Sequence, residues 1–187
     1  KKEYNNKITV YQSLNKIKKI NKFNTIIFAV KPQIAKQVVS QFKNLFGKEI
    51  LFISIIAGKK IVFFDKNLDH SHQIIRAMPN LPAQVKKGIT CLVANNMTTK
   101  KNRNIAKDLF INVGKTIWLK KESDIDKVTA ISGSGPAYFF LFIQYLISKA
   151  IQLGLKPNIS KELVYQTALG SIDLLIKDNK NALELRK

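Results

Sequence analysis

The sequence predicts an α/β chain in two parts: an open, mostly parallel sheet interleaved with helices, followed by an all-helical segment. Three observations carry this. Short apolar, β-rich runs alternate with helix-spaced patterns as far as Trp118, the pattern of βαβ units. After Trp118 the pattern is helical throughout. Between helical stretches stands Ser132-Gly133-Ser134-Gly135-Pro136-Ala137, directly before the largely apolar run from Tyr138 to Ile147.

Thr25 to Val30 is a near-continuous apolar run, as expected of a strand covered on both faces. Pro32 opens a predicted helix whose apolar stripe is Ile34, Val38, Phe42 and Leu45. Leu51 to Ile56 is a second buried strand, ended by Ala57-Gly58; Gln73 to Ala77 and Ile89 to Ala94 are two more. Thr98 or Thr99 caps a helix carrying Ile105, Leu109 and Phe110, and Lys115 to Leu119 is an edge strand. Ser123-Asp124 caps a helix through Val128, the helix opened by Pro136 follows, and a last helix begins at Ser160 with Glu162. Gly154 is placed to end the Pro136 helix, with Pro157 beyond it. The boundary falls near Lys120 to Glu122, giving a sheet domain over 1–121 and a helical domain over 122–187.

With 187 residues and 45% hydrophobic content the chain is long and apolar enough to bury a core. A formal charge of +20 would ordinarily suggest nucleic acid. Its distribution argues otherwise: only Arg76, Arg103 and Arg186 are arginine, the residue favoured for bidentate contacts, and the lysines spread from Lys1 to Lys187 without interleaved aromatics. No nucleic-acid partner is therefore expected. Cys91, the single cysteine, reads as a buried strand residue in a reducing, cytoplasmic setting. Polar residues interrupt the apolar stretch from Pro136 to Leu153, which falls short of the about 20 apolar residues of a membrane span. It reads as a buried helix, and no membrane partner is expected.

The Ser/Gly turn before Pro136 reads as a helix N-terminus that a carboxylate or phosphate can approach, because unpaired N–H groups and the helix dipole favour an anion; a simple cap is the other reading. Three segments upstream change its weight: Thr25-Ile-Ile-Phe-Ala-Val-Lys-Pro-Gln33, Ser54-Ile-Ile-Ala-Gly58 and Ile74-Ile-Arg-Ala-Met-Pro-Asn80. Together with Val128-Thr129-Ala130 ahead of the turn, the set resembles the pyrroline-5-carboxylate reductases over about Ile8 to Arg186. That resemblance implies a Rossmann-like dinucleotide-binding domain and a helical dimerisation domain. It also implies NADP (or NAD) as cofactor and hydride transfer to 1-pyrroline-5-carboxylate, giving L-proline in the last step of proline biosynthesis. No GxGxxG turn is present, and no Pro-Gly-Gly loop of the family follows Glu184-Leu-Arg-Lys187. A fragment truncated at both ends, with about one βαβ unit missing at the start and little activity of its own, is the expectation.

The resemblance assigns residues. Ala29, Val30, Lys31 and Pro32, at the carboxyl end of a strand, border the cofactor; an ordinary strand-to-helix turn is the alternative. Ile55, Ile56 and Ala57 form a second cofactor segment, with Ile56 where the family has a small residue. Asn80 is a third cofactor residue or a turn residue, and Asn15 falls near the adenosine side. Glu122 and Thr129 are the substrate candidates, with Ser134 and Gly135 at its anionic end; Glu122 as a plain first-turn acid stays open. The resemblance demands no nucleophile, so no catalytic residue is assigned. His70 and His72 lack further ligands in a zinc pattern, so no metal is expected, and both are placed on an exposed loop. The alternatives are a related dehydrogenase of another small acid and a basic nucleic-acid-binding module. Finally, the Pro136 helix is apolar around nearly its whole circumference, which predicts a homodimer or higher homo-oligomer.

Overall fold

A computed structural model describes residues 8–17, 20–47, 49–69, 72–178 and 180–187. It forms two compact units, 1–133 and 134–187.

Among the described residues the first unit has five strands in the order β1-β2-β3-β4-β5: β1 (Thr25–Phe28), β2 (Leu51–Ser54), β3 (Gln73–Met78), β4 (Gly88–Ala94) and β5 (Gly114–Trp118). β1, β2 and β3 are parallel, with Phe28 in register with Ser54 and Ser54 with Arg76. β4 runs antiparallel to β3 after a short 3-10 turn over Leu81–Val85, and β5 is parallel to β4. The mostly parallel sheet is thus as expected, with β5 at its edge.

Strand direction decides where the helices go. The connections through α1 (Ala35–Ser40) and α2 (Ile61–Leu68) advance in the same direction, so right-handed crossovers place both on one face. α3 (Lys100–Ile111) links two strands of reversed direction and covers the other face. Strand alternation sorts the core accordingly. Phe28, Phe52, Ile56, Phe64 and Ile74 pack on the α1/α2 face; Leu51, Ile53, Ile75, Ala77 and Leu92 pack with Ala106 and Phe110 of α3.

Three expectations for the sheet unit need correction. α1 spans only Ala35–Ser40 and buries Ala35 and Val39; Ile34 and Leu45, expected on its apolar stripe, are exposed. The stripe slips because Phe42 and Phe46, beyond the helix, fill the core and turn the neighbouring face outward. On α3, capped by Thr99 Oγ1 accepting from the Asn102 N–H (3.2 Å), Ala106 and Phe110 are buried and Leu109 is exposed. His72 is buried at the entry to β3 with its ring edge on Phe52 (centroids 5.1 Å apart), because Phe52 extends the aromatic core to this end of the sheet. His70 lies outside the described residues. Cys91 is buried in β4, as its apolar neighbours predict.

The first unit ends with α4 (Asp124–Val128) and a π-helical turn over Thr129–Gly133. In the second unit, α5 (Gly135–Gln152) packs on α6 (Pro157–Lys177), and α7 (Ala182–Arg186) follows with a capping box between Asn181 and Glu184. α6 starts at Pro157, not at Ser160, whose hydroxyl donates to the Lys156 carbonyl (3.0 Å). Gly154, at φ +93, ends α5 in the left-handed conformation that glycine adopts without cost. Its N–H donates to Ile151 O (2.9 Å) and that of Leu155 to Ala150 O (3.2 Å), a Schellman closure.

α5 does not match the buried helix expected of it. Only Gly135 is buried, while Phe139 and Phe142 are 59% and 63% exposed. The two helices that follow are too few to enclose an all-round apolar helix. The helical run over 124–152 is also long and apolar enough to cross a membrane by length and composition alone, contrary to the sequence reading.

Candidate functional site

In an open α/β sheet, ligands bind beyond the carboxyl ends of the parallel strands. Here β1, β2 and β3 bring three segments to one edge: Ala29–Pro32 after β1, Ile55–Gly58 after β2, and Pro79-Asn80 after β3. The Ile55 N–H donates to Phe28 O (3.1 Å), tying the first two together. Ala29, Lys31, Pro32 and Ala57 are exposed, so the loops present small side chains and reachable backbone. Ile56 turns its side chain into the α1/α2 core and its N–H donates to Ser54 Oγ (3.1 Å). Its bulk is thereby kept off the exposed edge.

Asn80 is used locally: its Oδ1 accepts from the Ile89 N–H (2.9 Å), pinning the start of β4. Asn15 lies in a 3-10 turn over Leu14–Lys16, in a shallow pocket with Gln41 and Leu45 on the chain's way from α1 to β2. The structure therefore does not bring Asn15 to the edge that holds Ala29 to Pro32.

Glu122 sits on the segment between β5 and α4. Its Oε1 accepts from Arg76 Nη1 (2.6 Å) and from the Ile61 N–H at the start of α2 (2.7 Å). Arg76 is on β3, two residues beyond the core residue Ile74 on the α1/α2 face and level with Ser54 and Phe28. The carboxylate therefore stands at the same end of the sheet as the loops. Arg76 and α2 escaped the sequence reading. A lone arginine inside the apolar run Ile74-Ile-Arg-Ala-Met is a usable signal, because a buried charge requires a partner.

Thr129 Oγ1 donates to Ile125 O (2.8 Å) and Ser132 Oγ to Val128 O (3.1 Å), both inside the helical turns. A Cβ built on Gly133 would lie 3.0 Å from Met78 Cε, so the π-helical turn packs closely on the end of β3. α5 starts at Gly135 with Pro136 in its first turn, as the sequence places it, but a π-helical turn runs up to Gly133 directly before it. The π turn sits just before Pro136, which has no N–H for the bond back to Ser132. Ser134 precedes α5 without a side-chain capping bond, and Gly135 is buried. Among the described residues no group of three or more His, Cys, Asp or Glu could hold a metal.

Residues 122–187 match the family model for pyrroline-5-carboxylate reductase dimerisation. The pyrroline-5-carboxylate reductase of Pseudomonas aeruginosa is 35% identical over 164 residues, 88% of this chain and 60% of the relative. That of Haemophilus influenzae is 34% identical over 176 residues, 94% of this chain and 65% of the relative. Over most of its length this chain is similar to pyrroline-5-carboxylate reductases. The solved reductase of Coxiella burnetii superposes with a TM-score of 0.81 at 36% identity, covering 88% of this chain and 62% of that one. The Plasmodium falciparum reductase, solved with NADP bound, gives 0.82 at 34% identity, covering 87% and 61%. The chain thus spans less than two thirds of the length of these reductases. An α/β sheet followed by a helical dimerisation region is the architecture of the family, as the sequence predicts.

Proposed function

We propose that the protein carrying this chain reduces 1-pyrroline-5-carboxylate to L-proline with NADPH, the last step of proline biosynthesis. The observation that carries this is the meeting of three exposed loops at the carboxyl edge of β1 to β3 with an anchored carboxylate, Glu122, at the same end. The residues fit a dinucleotide there. Ala29 and Ala57 are small and exposed, and Gly58, at φ +72, leaves open space where a side chain would project. Ala29, Val30, Lys31, Pro32, Ile55, Ile56 and Ala57 are the proposed cofactor segments. Asn80 supports them through its bond to Ile89, whereas Asn15, placed beside Gln41 and Leu45, is not among them. The relative solved with NADP favours NADP; NAD is the alternative.

A nicotinamide held by these segments would supply the hydride that reduces the C=N carbon, the π pair of that bond passing to a nitrogen already protonated. The chain's task is to position the imine and hold its charge. Glu122 accepts the hydrogen bond of the iminium N–H, and Thr129 follows it seven residues on, at the end of α4. Ser134 and Gly135 are proposed for the substrate carboxylate on family resemblance. We retain the division near Lys121-Glu122 into cofactor and dimerisation domains; the family match beginning at 122 supports it. The same match and the exposed aromatics of α5 support a homodimer, and the free, buried thiol of Cys91 suits a cytoplasmic setting.

The test is steady-state kinetics on the protein that carries this chain, with NADPH consumption and proline formation both measured. One proline formed per NADPH consumed is expected. NADPH consumption with a β-hydroxyacid dehydrogenase's keto-acid substrate but not with pyrroline-5-carboxylate would overturn the reading.

A further inference from the structure

We infer that Arg76 is a positioning residue for Glu122: buried beneath it, the guanidinium fixes the carboxylate at the site. The inference rests on the reading above, in which Glu122 receives the imine N–H. The pair is asymmetric. The Arg76 side chain is 4% exposed, whereas Glu122 is 27% exposed and open to a ligand. The cation is therefore a support under the carboxylate and is itself out of reach of substrate.

Two donors from different elements, Nη1 of β3 and the Ile61 N–H at the head of α2, converge on one oxygen, Oε1. Neither can follow the carboxylate if it rotates, because one is packed in the sheet core and the other is backbone. Among the described residues both bonds of Glu122 fall on Oε1, which leaves Oε2 to accept from a ligand. Stability alone is a weak reason for this arrangement, since an apolar pair of similar volume commonly serves as well. Lysine could supply the charge, but only as a point on a flexible stem; arginine holds it in a rigid plane. In a chain whose basic residues are almost all lysine, the arginine stands where geometry matters.

The experiment compares Arg76→Gln, Arg76→Lys, Glu122→Gln and the double variant Arg76→Gln/Glu122→Gln in the protein that carries this chain. The readouts are kcat and separate KM values for pyrroline-5-carboxylate and NADPH, with Tm as a control. Arg76→Gln should lower kcat/KM for pyrroline-5-carboxylate by about tenfold, the scale of one charge-assisted hydrogen bond misplaced. The KM for NADPH should not change. Arg76→Lys should recover part of the loss, and the double variant should be no worse than Glu122→Gln, because Arg76 acts through it.

Arg76 variants that lower Tm but keep the parent's constants would overturn the inference, as would losses that add in the double variant. If Arg76→Gln does not fold, Arg76→Lys decides: a loss confined to the substrate constants supports positioning, and parent constants overturn it. A separate outcome tests the underlying reading: Glu122→Gln with parent kinetics would remove Glu122 from the substrate site.

Discussion

Nη1 of Arg76 lies 2.6 Å from Oε1 of Glu122, joining the middle of the sheet to the segment after its last strand across 46 positions of sequence. Removing one partner of such a pair leaves a buried charge uncompensated, which costs more than the pair contributes. Glu122→Ala should therefore destabilise the fold by about 2–3 kcal/mol, below the full cost of a buried pair because solvent reaches part of the carboxylate. Arg76→Met/Glu122→Leu should regain most of the loss. The check is a lower urea midpoint for the single variant at unchanged m value; equal midpoints for parent and single variant would mean the pair is not buried as described.

Gly114 is the position least tolerant of a side chain. It has φ +143, and a Cβ built there would stand 2.0 Å from the Gly88 carbonyl oxygen across the β4/β5 ladder. Gly114→Ala must strain its backbone and break the start of that ladder, a loss of about 3 kcal/mol or more. Urea unfolding of the variant measures it, and a midpoint equal to that of the parent is the contrary result.

His72 gives the fold an acid sensitivity. Burial lowers its pKa from the ordinary 6.5, against raising effects from the Leu68 backbone and from Asp69 and Asp65, and its Nδ1 is buried without a hydrogen-bond partner. The folded state thus resists a proton that the unfolded chain accepts. This contribution is fully present above pH 6.5 and is lost as pH falls from there toward the lowered folded value. His72→Phe keeps the ring against Phe52 and should flatten stability against pH over that window. Parallel curves for parent and variant would contradict this.

Cys91 is buried in β4, and burial raises the pKa of its thiol. Since the thiolate is the reactive form, Cys91 should react negligibly with a thiol reagent at neutral pH in the native protein and become labelled on unfolding. Rapid native labelling would place Cys91 at the surface.

Much of the fold was legible because it is local. Strands such as Thr25–Phe28 and Leu51–Ser54 are marked by unbroken apolar runs, and Thr99 marks the start of α3 by its own side chain. α2 was not legible. Lys60, which precedes it, makes no side-chain cap, and the cap comes instead from Glu122, 61 residues away. The same distance hid the working environment of Glu122, which the sequence presents only as an acid before a helix. The slipped stripe of α1 has a related cause: Ile34 and Val39 lie on equally periodic apolar rows, and only Phe42 and Phe46 settle which row is buried. At the Ser/Gly motif, Pro136 reads equally well as a helix start and as the cause of a π turn within a helix.

The most direct test of the account follows the hydride itself. The protein carrying this chain is supplied with pyrroline-5-carboxylate and NADPH deuterated at the transferable position of nicotinamide C4, and the product is read by mass spectrometry and NMR. The account predicts L-proline carrying one deuterium on Cδ, the former C=N carbon, with far less formed by Glu122→Ala. Unlabelled proline, or NADPH consumed with no proline formed, would contradict it.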